Sequence, residues 1–92
     1  MEVKHHPDFV KWVRRLGDQD RAQISRKLRM LQDHGIAIGM PLVRRLYADL
    51  WELRVGKHRL YFGVEDDTAV FHVYGDKDSQ RRDIEQARGR MS

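Results

Sequence analysis

The chemistry-bearing residues of this chain concentrate in two short stretches. The first is Leu50-Trp51-Glu52-Leu53-Arg54-Val55-Gly56-Lys57-His58-Arg59-Leu60-Tyr61-Phe62, and the second is His72-Val73-Tyr74 with Lys77 just beyond it. In the first stretch polar and large apolar residues alternate, so two strands joined at Gly56-Lys57 are expected, with side chains changing face at every step. Trp51, Leu53 and Val55 then share a face with Leu60, Phe62 and Val64. The opposite face carries Glu52, Arg54, Arg59 and Tyr61, and a third alternating strand adds His72 and Tyr74 to it. Lys77 lies where it can reach over that face. Converging guanidinium groups suit phosphate, because their planar fork matches two phosphate oxygens and stays charged. Tyrosine adds a stacking surface for an unpaired base.

The same groups can do more than bind. RNA is cleaved when its own 2′-hydroxyl attacks the adjacent phosphate. A catalyst for that route stabilises a more anionic transition state and manages two protons. Arg and Lys supply the first need; Glu, His, Tyr or Lys supply the second, and no metal is required. A plainer reading stands beside this one. Glu52 and Arg54 can pair as strand neighbours, His72 can be a packed, hydrogen-bonded residue, and Tyr61 and Tyr74 are ordinary strand formers.

The elements that position these groups can be read in order. Residues 1–5 suit a short strand. Pro7 opens a helix in which Phe9, Val13 and Leu16 repeat at helical spacing, with Trp12 beside them, and Gly17 ends it. Asp18 suits the N-cap of a second helix with Ile24, Leu28 and Leu31 on its apolar stripe, stopping near His34-Gly35. Its outer face, with that of the first helix, carries Arg14, Arg15, Arg21, Arg26, Lys27 and Arg29. Gly39-Met40-Pro41 marks a loop, and Arg44 and Arg45 lead into the strand pair. Glu65-Asp66-Asp67-Thr68 is a turn, Ala69 to Tyr74 the third strand of the meander, and Asp76 or Asp78 caps a last helix containing Ile84, Ala87 and Met91. The order β-α-α-β-β-β-α describes an α+β domain, with a helical hairpin and a C-terminal helix packed on one face of a small antiparallel sheet.

With 92 residues there is room for one core, so residues 1–92 form a single domain. Charged residues make up 35% of the chain and its net charge is +4, which makes a polyanionic partner worth testing. The charge is unevenly spread: residues 1–38 and 39–61 contribute +3 each, residues 62–76 contribute −4, and the remainder +2. The absence of cysteine removes disulfides and thiolate metal sites. His5, His6 and His34 have no ligand partner at a useful spacing. No Gly-rich phosphate loop, serine elbow or zinc pattern occurs, so no cofactor or metal is expected. No apolar run reaches the length of a membrane span or a signal-peptide core; a cytoplasmic protein without membrane attachment is expected.

Over nearly its whole length the chain resembles the RelE/ParE superfamily of toxins from type II toxin–antitoxin systems. The resemblance rests on Phe9-Val10-Lys11-Trp12 and on the ordered pattern E-L-R … R-x-Y-F … G-D-K-x-x-Q-x-x-D-I-x-x-A, which spans Glu52 to Ala87. That pattern is similar to the RelE/HigB-like branch of addiction-module killer proteins. The resemblance implies a RelE-like fold and a cognate antitoxin, a small helix-turn-helix protein encoded by the adjacent gene. For the RNase members it also implies cleavage of mRNA on the ribosome, and hence inhibition of translation. On the matching positions, Arg59 is the sheet arginine that contacts the scissile phosphate, Arg54 ends the E-L-R phrase, and Lys77 is the basic residue closing the last strand. RelE proper has a tyrosine near its last helix for which this chain has no counterpart. Tyr74, His72 and Lys57 are substitutes on geometry, with Tyr74 or His72 assisting proton transfer. Arg44, Arg45, Lys57, Tyr61, Arg81 and Arg82 are the expected RNA contacts. Two alternatives remain open: a ParE-like inhibitor of DNA gyrase, and a non-catalytic nucleic-acid-binding module of the same fold.

Overall fold

The structure is a computed structural model that describes residues 1–76 and 78–91. It runs β1 (Glu2–His5), α1 (Pro7–Arg15), α2 (Asp18–His34), a 3-10 turn (Gly35–Ile38), β2 (Val43–Arg45), β3 (Leu50–Val55), β4 (His58–Glu65), β5 (Thr68–Asp76) and α3 (Gln80–Met91). The five strands form one sheet in the order β1-β5-β4-β3-β2. The expected meander is β3-β4-β5, antiparallel throughout, with Trp51 opposite Phe62 and Leu53 opposite Leu60.

Two features were not anticipated. Val43–Arg45 is a strand, pairing antiparallel with β3 through Arg44 opposite Glu52. At the other edge β1 joins β5 in parallel, Val3 opposite Ala69, so the sheet is mixed. A parallel neighbour needs a long crossover, and here the helical hairpin and the meander supply it.

Local sequence explains most boundaries. Pro7 occupies the first turn of α1, where its missing N–H is not needed, and the His6 ring accepts the N–H of Asp8. Gly35, at φ +65, ends α2, a conformation that costs glycine little. The β4–β5 hairpin turns on Asp66 and Asp67, both left-handed (φ 49 and 60), the geometry that matches the twist of the flanking strands.

The sheet buries both faces. On one side α1 and α2 set Phe9, Ile24 and Leu31 against Leu53, Val55, Leu60, Phe62, Ala69 and Phe71, all buried. On the other side α3 covers a smaller cluster of Leu50, Tyr61, Val73 and Ala87, flanked by Ile84 and Met91. The expectation that all helices share one face is therefore corrected: α3 lies across the sheet from the hairpin. Leu50 and Val73 sit on strand positions that sequence alternation alone does not assign to a second core. Phe62 is fully buried and stacks between Trp51 and Phe71, at centroid distances of 6.5 and 4.9 Å. Phe62→Ala should cost about 3–5 kcal/mol in urea unfolding, the range for removing a buried aromatic ring without refilling its space.

Candidate RNA-binding site

The polar face of β3 and β4 is organised around one carboxylate. Glu52 is fully buried. Its Oε1 accepts from Arg54 Nε at 3.0 Å and lies 3.3 Å from Arg59 Nε. Its Oε2 accepts from Arg44 Nη2 at 3.3 Å and from the side-chain amide of Gln80 at 2.9 Å. The strands dictate this meeting. Register sets Arg44 and Tyr61 directly opposite Glu52, and Arg54 opposite Arg59, on one face of three adjacent strands. Gln80 brings the first turn of α3 onto the same carboxylate. Three guanidinium groups around one carboxylate leave two positive charges at the site.

The arginines are not equally available. The Arg59 side chain is 13% exposed, and its Nη1 is committed to the carbonyls of Gly56 and His58. Arg54 and Arg44 are 35% and 37% exposed, leaving guanidinium N–H groups open to an anion. Arg59 therefore acts first as a brace for the β3–β4 turn, and Arg54 and Arg44 present the charge.

Two aromatic expectations are corrected. Tyr61 does lie on the polar face, but α3 buries it completely, and its hydroxyl has no partner among the described residues. Burial, and then the negative charge of Glu52 and Asp83, push this phenol well above the usual range. It is neither an RNA-stacking surface nor a proton acceptor at neutral pH. Tyr74 is on the opposite face of the sheet. Tyr61 pairs with Val73 and Phe62 with Phe71, so His72 is an extra residue in β5, a β-bulge. The bulge keeps both His72 and Val73 toward α3 and returns Tyr74 to the α1 side, where it stacks on Trp12 at 3.8 Å and 17°. Sequence alternation carries no sign of such an insertion.

His72 consequently lies under α3, its Nε2 close to Gly63. Its pKa is lowered, by desolvation first and then by the neighbouring His6 and Arg90. Arg90 ties α3 down at this end: it donates to the His72 carbonyl and to Asp8 Oδ2, the latter at 2.8 Å. The other end of α3 is held by Asp83, which is buried and accepts from Ser79 Oγ. Burial raises the Asp83 pKa. Asp83 rests directly on Gly75, where any Cβ would overlap its carboxylate. Asp76 Oδ1 accepts the N–H groups of Asp78 and Ser79 ahead of the helix, and those bonds lower its pKa. Asp83, Gly75 and Gln80 are fixed positions of the motif that carries the family resemblance, yet no role was expected for them; burial, the contact of Asp83 with Gly75 and the bond of Gln80 to Glu52 show what they do.

The remaining expected residues divide by position. Lys57, His72, Tyr74 and Arg82 line a groove of about 700 Å³ between α1, the end of β5 and α3. Arg81 lies outside it, beside Asp78 and Glu85. Arg45 is turned away, donating to the carbonyls of Tyr47 and Ala48 and lying 5.9 Å from the Trp51 ring. Lys77 falls outside the described residues.

Two tests follow from this geometry. Glu52→Gln removes the shared counter-charge; because two of its arginines can turn to water, destabilisation of about 1–3 kcal/mol is expected, read by urea unfolding. The pH dependence has a defined sign. The folded pKa of His72 lies below 6.5, so the unfolded chain takes up the proton first and stability falls as pH drops below about 6.5. His5, lowered by burial, acts in the same direction. Thermal melts across that window should show His72→Gln with a shallower acid limb than the parent; an unchanged limb would contradict the burial of this ring.

A family profile described as phage derived protein Gp49-like matches residues 11–92. No curated protein matches the chain. Among solved structures, archaeal RelE from the RelE–RelB complex of Pyrococcus horikoshii OT3 is 20% identical, with 83% of this chain and 93% of that one covered and a TM-score of 0.73. The isolated RelE toxin of E. coli is 16% identical, covering 94% and 97%, with a TM-score of 0.65. A chain of the YoeB–YefM complex from Staphylococcus aureus is 16% identical, covering 78% and 91%, at 0.61. At these identities the likeness is one of fold, and it extends over nearly the full length of each relative. The chain is thus a member of the phage-derived Gp49-like family, with a RelE-like fold.

Proposed function

We propose that this chain is the toxin of a type II toxin–antitoxin system and acts as an mRNA endoribonuclease on the ribosome, neutralised by a cognate antitoxin. The family and the RelE fold support the toxin assignment, and solved relatives of that fold include toxins bound to RelB and YefM antitoxins. The observation that carries the RNase reading is the arginine cluster itself. Arg44, Arg54 and Arg59 converge on one buried carboxylate, which orients them and leaves a net positive charge on the sheet face.

In this reading a phosphate of the bound strand docks against the outward N–H groups of Arg54 and Arg44. Attack by the 2′-hydroxyl adds negative charge to that phosphate, and fixed guanidinium donors stabilise the charge more in the transition state than in the ground state. Arg59 holds the β3–β4 turn and contributes its charge from behind. Proton transfer falls to groups near α3, His72 among them, with Lys77 as a further cation by its position in the family pattern. The cognate antitoxin is expected to be a small helix-turn-helix protein from the neighbouring gene.

Primer extension on transcripts after induction tests the reading. New 5′ ends should appear with the parent chain and fall by about tenfold or more with Arg54→Ala, the scale of losing one charge-stabilising donor in the transition state. Arg54→Ala leaves Glu52 with Arg44, Arg59 and Gln80 around it and should destabilise the chain by about 1–3 kcal/mol, the cost of one lost donor to a buried charge. Arg59→Ala should lose both cleavage and stability. Intact transcripts together with an induced DNA-damage response would replace the RNase reading with gyrase inhibition.

A further inference from the structure

Arg44, Arg54 and Arg59 on the sheet face are committed to Glu52, whereas four cations without a side-chain hydrogen bond or ion pair among the described residues line the groove between α1 and α3. The groove exists because β1 covers only the first half of β5: Glu2–His5 pair with Thr68–Phe71, and beyond His5 the chain leaves as α1. Residues 73–76 of β5 are paired with β4 alone and, with the bulged His72, form the floor of an open channel.

Its walls are chemically sorted. Lys11 and Arg15 stand on α1, Lys57 on the β3–β4 turn and Arg82 on α3. All four are exposed, and none makes a side-chain hydrogen bond or ion pair among the described residues. The acids of the groove have their hydrogen bonds elsewhere, Asp8 with Arg90, Asp76 with backbone N–H groups and Asp83 with Ser79, while Lys57 and Arg82 lie close enough to Asp76 and Asp83 to act on them electrostatically without pairing. One wall also carries the half-buried Trp12–Tyr74 stack, with the His58 ring edge-on to Trp12 at 5.4 Å. A rim of cations along a channel, with an aromatic platform inside, fits single-stranded nucleic acid: phosphates track the cations and a base stacks on the rings. An acidic peptide would satisfy the cations and leave the aromatic wall unused.

We infer that the α1–β5–α3 groove binds single-stranded RNA, with Trp12 and Tyr74 as a base-stacking platform and Lys11, Arg15, Lys57 and Arg82 as backbone contacts. This rests on the reading that the chain acts on RNA and extends it with a second subsite outside the Glu52 cluster. The groove lies at the start of β4 and the end of β5, where the β3–β4 turn carries Lys57 and the Arg59 brace follows it, so one strand can pass from groove to cluster.

The test uses the full chain and a short 2′-O-methyl oligouridylate, which cannot be cleaved by 2′-hydroxyl attack. Fluorescence anisotropy should show binding that weakens about tenfold in Lys11→Gln/Lys57→Gln, with the slope of log K against log salt flattened by about 1.4, the value for two lost contacts on a single strand. Arg26→Gln/Lys27→Gln, on the outer face of α2, should leave both unchanged. In a Trp51→Phe background, binding should quench Trp12 fluorescence, and an abasic strand of equal length should bind more weakly and quench little. Equal losses from the α2 pair, equal binding of the abasic strand, or displacement by a polyglutamate peptide without any base-dependent quenching would each overturn the inference. Because the probe is inert, groove binding without transcript cleavage would remove the RNase reading and leave the groove standing. Cleavage that survives loss of the groove cations would do the reverse.

Discussion

A single buried carboxylate holds the functional face of this molecule together. Glu52 sits with no exposure in the middle strand of three, and a charge in that position is tolerable only with several donors around it. Arg44 from β2, Arg54 from β3, Arg59 from β4 and Gln80 from α3 provide them. The constraint runs in both directions. Glu52 needs these donors to be buried, and the arginines need Glu52 to be held within reach of one another despite their mutual repulsion. Because the donors come from four elements, the carboxylate also sets where the edge strand β2 and the start of α3 lie. The residual charge that faces solvent is therefore oriented by the fold, which is what a phosphate site requires and what a loose patch of surface arginines lacks.

The C-terminal helix is fastened at three points of different chemistry. Gln80 meets Glu52, Asp83 lies on Gly75 beside Ser79, and Arg90 bridges to Asp8 and the His72 carbonyl. Apolar contact beneath it is small, from Ile84, Ala87 and Met91 against Leu50, Tyr61 and Val73. Polar anchors thus carry much of its placement, and they connect it to both candidate surfaces: Gln80 to the arginine cluster, Asp83 and Arg90 to the groove.

The sequence was most legible where a pattern repeats. Trp51, Leu53, Val55, Leu60, Phe62 and Val64 alternate without interruption, and the structure places them on one face with the helical hairpin against them. Pro7 and Gly35 mark helix ends through backbone chemistry that neighbours do not alter. Legibility failed at His72. One inserted residue in β5 reverses the facing of everything after it, and because the partner strand has no matching insertion, nothing in β5 itself announces the change. Tyr74 therefore passed from the arginine face to the Trp12 stack. Tyr61 was assigned to the correct face yet misjudged in exposure, since a strand pattern shows which side a residue takes and not what covers that side.

By itself, the sequence determined the α+β order of elements, the main core and the presence of Glu52, Arg54 and Arg59 on one face of neighbouring strands. Those follow from periodicity and backbone preference, which are local. The tertiary structure decided that Glu52 is buried, that Arg59 braces a turn while Arg54 and Arg44 face outward, and that α3 closes over Tyr61. It also decided that Lys11, Arg15, Lys57 and Arg82 share a groove at the end of β5. Each of these depends on which groups from distant segments share space, where desolvation and pairing outweigh the preference of any residue taken alone.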